Sequence, residues 1–241
     1  MRETQPASDI RFLKKVSLFF AFLEKYFRYE VRGLKRIPSD RCLVVMNHGI
    51  VPFHGFLLAK KIFDTRGIRA RGLGAEFLFR IPGVREFFLK GGAVNASPQN
   101  AKKLLLQDQI VMLAPGGIYE ALIAKEGLRR IPWERRKGFV KIAVETKTPI
   151  VPTYCKGING VYLNSYFLLK PRIKLLEKTR FSLPIFFGLG FFPFPRKLVH
   201  LVGRPVRITR KKGESRKAQI DRIHRKVLNA VARLAKTGSI N

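Results

Sequence analysis

The chain has 241 residues, 46% of them hydrophobic, and a formal net charge of +32 from 48 Lys and Arg against 16 Asp and Glu. The length suits one α/β domain with appendages, and the apolar content excludes a disordered basic tail. The charge calls for an anionic partner, nucleic acid or an anionic membrane surface, and basic residues interleaved with 20 Phe fit the membrane better.

Residues 8–29 read as a helix, with Phe12, Val16, Phe19, Phe20 and Leu23 on one side and basic residues around them. The expected organisation is an amphipathic membrane-associating helix over 1–32 and a catalytic domain over 33–241. The run 16–23 is too short to span a bilayer and lacks a signal-peptide cleavage site. Cys42–Met46 reads as a buried strand, 56–63 as a helix and 69–73 as a strand. Residues 76–88 form a short helix broken at Pro82-Gly83. A short strand at 93–94 precedes a helix to Gln107 that Ser97 caps, with Pro98 at its first position. Residues 110–114 and 149–154 are strands, and 138–146 is helical. Residues 198–202 and 206–208 also read as strands. Ser215–Lys236 is a basic helix with Ile220, Ile223, Val227, Val231 and Leu234 on one face, expected to pack on the domain, with membrane contact as the alternative. The alternation implies an α/β fold: a single domain with a mostly parallel central sheet flanked by helices. The run 183–193 is apolar but short and broken by Pro and Gly. The expected protein therefore lies on the cytoplasmic face of a membrane, monotopic, rather than crossing it.

Two strands end in chemistry. Val44-Val45-Met46-Asn47-His48-Gly49 runs from apolar residues into a histidine and a turn, the usual position of an active site at the mouth of an α/β sheet. Ile110-Val111-Met112-Leu113-Ala114-Pro115-Gly116-Gly117-Ile118-Tyr119-Glu120 runs into a Pro-Gly-Gly turn and then an acid at the start of a helical segment. Glycines let backbone approach a ligand closely. Alone, each block is equally a polar residue closing a strand or an ordinary βα turn.

In order, Asn47-His48-Gly49, Ala114-Pro115-Gly116-Gly117 with Glu120-Ala121-Leu122, Arg136-Lys137-Gly138-Phe139-Val140-Lys141 and Pro149-Ile150-Val151-Pro152-Thr153-Tyr154 resemble successive blocks of the lysophospholipid/glycerolipid acyltransferase superfamily, closest to its diacylglycerol acyltransferase type-two-like branch. The resemblance covers roughly residues 40–210. It implies transfer of a fatty acyl group from acyl-CoA, or from an acyl carrier protein, to a lipid hydroxyl such as diacylglycerol or a long-chain alcohol, with His48 as general base. A lysophospholipid acceptor is the alternative. Backbone near Gly116 and Gly117 would hold the oxyanion. Asn47, Pro115 and Arg80 join the expected substrate contacts, Arg80 standing where the family places an acceptor-headgroup block, though a solvated or packing arginine is an equal reading there. No metal or cofactor is expected beyond acyl-CoA as co-substrate; the other expected partners are anionic membrane lipids and the lipid acceptor.

Many members place an aspartate after four intervening residues; here that position is Phe53, and one place further on stands His54. No acid lies between Asp40 and Asp64. Three readings stay open: Glu120 supplies the acid, His54 accepts a hydrogen bond from His48, or chemistry has been lost and a basic lipid-binding or nucleic-acid-binding protein remains. Tyr119 replaces a basic residue common in close relatives, which bears on the acceptor. The cluster Arg129-Arg130 to Arg135-Arg136-Lys137 around Trp133 suits membrane or coenzyme A contact, or a solvated loop. Cys42 and Cys155 read as buried thiols, and His200 and His224 as structural. No Gly-x-Ser-x-Gly, Walker or His-Glu-x-x-His motif is present.

Overall fold

The run Cys42–Val45 is wholly buried, as a strand covered on both faces must be. It lies at the centre of a computed structural model that describes residues 10–123, 132–179, 185–190 and 192–237. In chain order the first elements are α1 (Ile10–Tyr26), β1 (Glu30–Arg32), β2 (Cys42–Val45), α2 (Phe53–Arg66), β3 (Arg71–Gly74), α3 (Val84–Lys90), β4 (Val94–Asn95) and α4 (Pro98–Leu106). There follow β5 (Ile110–Leu113), α5 (Gly117–Ile123), α6 (Gly138–Thr146), β6 (Ile150–Lys156), β7 (Leu163–Asn164), α7 (Leu169–Thr179), β8 (Phe186–Phe187), β9 (Val199–Val202) and α8 (Arg216–Thr237).

Seven strands form one sheet in the order β1-β9-β6-β2-β5-β3-β4. Neighbours are parallel except β6 and β9. Along β2 the side chains alternate between two cores, as period-two geometry requires. Leu43 and Val45 pack with Leu104, Val140, Ile223 and Val227 from α4, α6 and α8. Cys42 and Val44 pack with Leu58 and Ile62 from α2. The fold is the α/β domain with a mostly parallel, helix-flanked sheet that the alternating pattern implied.

Ser97 Oγ caps α4 by accepting the Asn100 N–H at 3.1 Å. The apolar face of α8 is buried on the domain at all five expected positions. The segment expected as a strand at 206–208 contributes only a single bridge, Val206 to Ile150. Pro149 and Pro205 flank that bridge and have no N–H to extend a ladder. The expected boundary at residue 32 coincides with the end of β1, a strand of the main sheet. Within α1, Leu23 is fully buried, as is Phe27 just beyond its end, while Leu18 is 77% exposed. Lys60 on α2 binds Glu24 on α1 at 3.3 Å. The N-terminal helix is thus welded to the domain along one face and bare along another. Arg129 and Arg130 lie outside the described residues, as do residues 1–9.

Candidate active site

Strands β2 and β5 are parallel neighbours in the register Val45 to Leu113, so both chains leave the sheet at the same edge. The Met46 N–H donates to the Leu113 carbonyl at 3.1 Å and carries the pairing one residue further. Topology alone therefore brings the His48 turn against the Ala114–Gly117 turn, some seventy residues away in sequence.

Asn47 is clamped. Its Oδ1 accepts the Cys155 N–H at 2.7 Å and its Nδ2 donates to the Cys155 carbonyl at 3.2 Å. The side chain mimics a strand residue and locks β2 to β6 where main-chain pairing ends. Asn47 was expected to touch substrate; its amide is instead spent on backbone, and the residue is 2% exposed.

His48 follows, half-buried. Its Nδ1 lies 2.5 Å from the Gly49 carbonyl oxygen. A carbonyl only accepts, so Nδ1 carries the hydrogen and Nε2 keeps its lone pair. Burial lowers the imidazole pKa, opposed by the bond to Gly49. The ring is therefore held neutral with Nε2 free to take a proton.

His54 does not pair with His48. Its Nε2–H donates to the Asn47 carbonyl at 2.8 Å, and its Nδ1 is buried with no partner. The reading in which His54 accepts a hydrogen bond from His48 is corrected on that ground. Burial pushes His54 down to about 3. Its ring lies 5.5 Å from that of His200, whose Nδ1 meets the Tyr29 hydroxyl and whose Nε2 meets the Thr153 hydroxyl, both at 3.0 Å. His200 is structural, as expected.

Glu120 reaches the site differently from the reading in which it replaces the missing acid. It is 4% exposed, and its Oε2 accepts the Trp133 indole N–H at 2.8 Å. The main-chain N–H groups of His48 and Gly116 also face the carboxylate. The carboxylate therefore lies between the two turns, while Gly49 holds the imidazole. Burial raises it to about 7 against these three donors. A Cβ at Gly116 would overlap the Glu120 side chain, so this position needs glycine for close approach. The Gly116 N–H faces Glu120, and the Gly117 N–H donates to the Ala114 carbonyl at 3.1 Å. Neither is left to meet an oxyanion, a correction to the expected donors. Pro115, which precedes both glycines in the turn, is half-buried.

Arg80 stands apart in a single 3-10 turn at 76–80, exposed and paired with Glu76 at 2.5 Å. Trp133, expected at a membrane or coenzyme surface, is fully buried and anchors Glu120. His224 on α8 donates to the Trp133 carbonyl at 3.0 Å. Trp133 was legible as the chain's single indole, a donor that requires an acceptor once buried. The Gly49 carbonyl left no side-chain signal. Among the described residues no group of His, Cys, Asp and Glu could hold a metal ion.

A family model for diacylglycerol acyltransferase matches residues 7–237. The mouse protein named DGAT1/2-independent enzyme synthesizing storage lipids is 31% identical over 180 residues, covering 74% of this chain and 52% of its own length. Human diacylglycerol O-acyltransferase 2-like protein 6 is 28% identical over 230 residues, covering 79% of this chain and 68% of its own. The chain spans about half the length of the first of these curated relatives. The crystal structure of PlsC from Thermotoga maritima, a 1-acyl-sn-glycerophosphate acyltransferase, has the same fold: TM-score 0.58 at 18% identity, over 93% of this chain and 80% of that one. With the family model spanning nearly all of its residues, the chain belongs to the diacylglycerol acyltransferase family.

Proposed function

We propose that the chain is a glycerolipid O-acyltransferase that works at a membrane surface, with acyl-CoA as donor and His48 as general base. The observation that carries this reading is the Nδ1 contact of His48 to Gly49 at 2.5 Å, which makes Nε2 the basic nitrogen, on a turn that leaves the sheet at the same edge as the Pro-Gly-Gly turn. Nε2 takes the proton of the acceptor hydroxyl as its oxygen attacks the thioester carbonyl. The tetrahedral oxyanion then collapses, the C–S bond breaks, and the imidazolium returns the proton to the departing coenzyme A thiolate. Among the described residues, the N–H groups of Ile118 and Tyr119, at the start of α5, have no main-chain acceptor and serve as the oxyanion donors in this reading. Glu120 fixes the distance between base and donors by tying both turns together. The net charge of +32 suits the phosphates of coenzyme A.

A neutral acceptor, diacylglycerol or a long-chain alcohol, fits better than a lysophospholipid. Arg80, the cation on which a charged acceptor would rely, is exposed and already paired with Glu76. The test is acyl transfer from radiolabelled long-chain acyl-CoA to diacylglycerol, a long-chain alcohol and lysophosphatidic acid offered together in detergent mixed micelles. A labelled neutral lipid that disappears in His48→Ala supports the reading. Label in phospholipid replaces the acceptor. Product formed equally by His48→Ala removes the mechanism, and no product with any acceptor removes the enzyme.

A further inference from the structure

Strands β7 and β8, which flank α7 in the chain, pair Leu163 with Phe187, and both are more than half exposed. Beyond β8 the chain turns back at once. Leu189 and Phe192 exchange both main-chain hydrogen bonds, at 2.8 and 3.1 Å, and the Gly188 N–H donates to the Gly190 carbonyl at 3.3 Å. A Cβ at Gly188 would run into the Phe192 carbonyl and the Tyr162 ring, so only glycine allows so tight a tip. The tip thus satisfies these main-chain groups internally while Phe187 is 55% and Leu189 58% exposed. That combination is costly in water and suited to a bilayer, where unpaired backbone is what excludes a loop.

The tip is joined to α1. The Phe192 ring lies 5.1 Å from Tyr26 and 6.2 Å from Phe22, and the Tyr26 hydroxyl donates to the Pro193 carbonyl at 2.6 Å. Leu18 and Phe22, one helical turn apart, are 77% and 51% exposed. Helix α1 and the hairpin therefore present one continuous apolar surface. Its border is basic: Lys25 and Arg28 follow the exposed turn of α1, and Arg196 and Lys197 follow the hairpin, all exposed, with Lys197 also bridging to Glu30 at 3.3 Å.

Topology places this surface at the His48 edge. Strand β9 runs against β6 with Val199 opposite Lys156, so the chain enters β9 from the end at which β2 and β6 leave the sheet. Strand β1 is parallel to β9, so α1 feeds in from that same end. Rings continue inward from the hairpin: Phe186 to Tyr162 at 4.5 Å, and Tyr162 to Phe53, at the start of α2, at 6.3 Å.

We infer that the hairpin tip formed by residues 186–190 and 192, together with the bare face of α1, is a two-pronged docking surface for an anionic bilayer leaflet, and that this surface sets the His48 edge of the sheet against the lipid. It deepens the membrane part of the reading above and rests on it. The occupant follows from the chemistry: apolar tips enter hydrocarbon, and the basic border meets anionic headgroups.

The test uses full-length protein and vesicles of phosphatidylglycerol and phosphatidylcholine. The only native tryptophan is the buried Trp133, so Leu189→Trp adds one reporter at the tip. Brominated lipids in the vesicles should quench the Leu189→Trp signal and leave the wild-type signal unchanged. The pair Phe187→Ser and Leu189→Ser should weaken vesicle partitioning on the order of a hundredfold, as expected when two large apolar side chains no longer enter hydrocarbon. The same pair should leave the thermal midpoint and micellar acyl transfer unchanged. Protein that sediments with vesicles while the tip reporter stays unquenched binds by another face, and that overturns the inference. A dimer in solution that the Ser pair dissociates, with no quenching, assigns the surface to a second copy and also overturns it. Quenching without acyl transfer in the micelle assay leaves the docking surface standing and removes the enzymatic reading, so the two fail separately.

Discussion

The Trp133 indole N–H donates to Glu120 Oε2 at 2.8 Å while the Trp133 carbonyl accepts from His224 at 3.0 Å. One residue thereby links the C-terminal helix to the acid that ties the two turns of the site. The support runs from α8 to Trp133, from Trp133 to Glu120, and from Glu120 to the main chain of His48 and Gly116.

Trp133→Phe keeps most of the ring packing and deletes the N–H. A buried carboxyl loses one of its donors, at a cost of about 1–3 kcal/mol. Urea unfolding followed by circular dichroism at pH 7.5 should show that loss. The loss should shrink at pH 5, where the carboxyl is protonated and needs the donor less. An unchanged midpoint at both pH values would mean that the indole bond does not support Glu120.

Glu120 gives the stability a pH slope of defined sign. Its pKa is raised from the ordinary 4.5 to about 7, first by burial. Between those values the folded chain holds a proton that the unfolded chain has released, so this group's contribution falls as pH rises through the window. The size is on the order of 3 kcal/mol. Glu120→Gln cannot titrate. Relative to wild type, the variant should therefore be more stable at pH 8 than at pH 5. Parallel stability curves for the two proteins would show that Glu120 ionises in the fold at its ordinary pKa.

The sheet and the meeting of the two turns were legible because they follow from local pattern. Apolar runs at 42–46 and 110–114 end at His48 and at Pro115-Gly116-Gly117, and parallel neighbours leave a sheet at one edge. What holds the site was not legible. Gly49 and Cys155 act through main-chain atoms, which every residue has, so no side chain marks them. Trp133 sits in a stretch of cations that marks a surface segment, whereas the indole itself is turned inward and fully buried. Strands β7 and β8 are two residues each, too short for any periodicity to reveal.

Asn47 tests the clamp between β2 and β6. Asn47→Ala strands the Cys155 N–H and carbonyl in a buried site, at about 2–3 kcal/mol. Asn47→Asp restores the acceptor for the N–H but sets a second oxygen against the Cys155 carbonyl, so it should not rescue. Chemical denaturation of the two variants beside wild type checks both statements. A fully stable Asn47→Ala would free this residue from its structural role and return it to the candidates for substrate contact.

His54 should make the fold acid-sensitive. Its pKa lies at about 3 in the fold, against an ordinary 6.5. Below pH 6.5 the unfolded chain takes up a proton that the folded chain refuses, so the contribution of this group falls as pH falls through that window. His54→Leu removes the titration and also the donor to the Asn47 carbonyl. At pH 7.5 the variant should be less stable than wild type by about 1–3 kcal/mol, the cost of an unpaired buried carbonyl. At pH 5 wild type has lost on the order of 2 kcal/mol through His54, so the gap should narrow or close. Urea unfolding at the two pH values measures it. A gap of constant size would mean that His54 takes up its proton at the same pH in the folded and unfolded chain, and that its unpartnered Nδ1 reaches solvent.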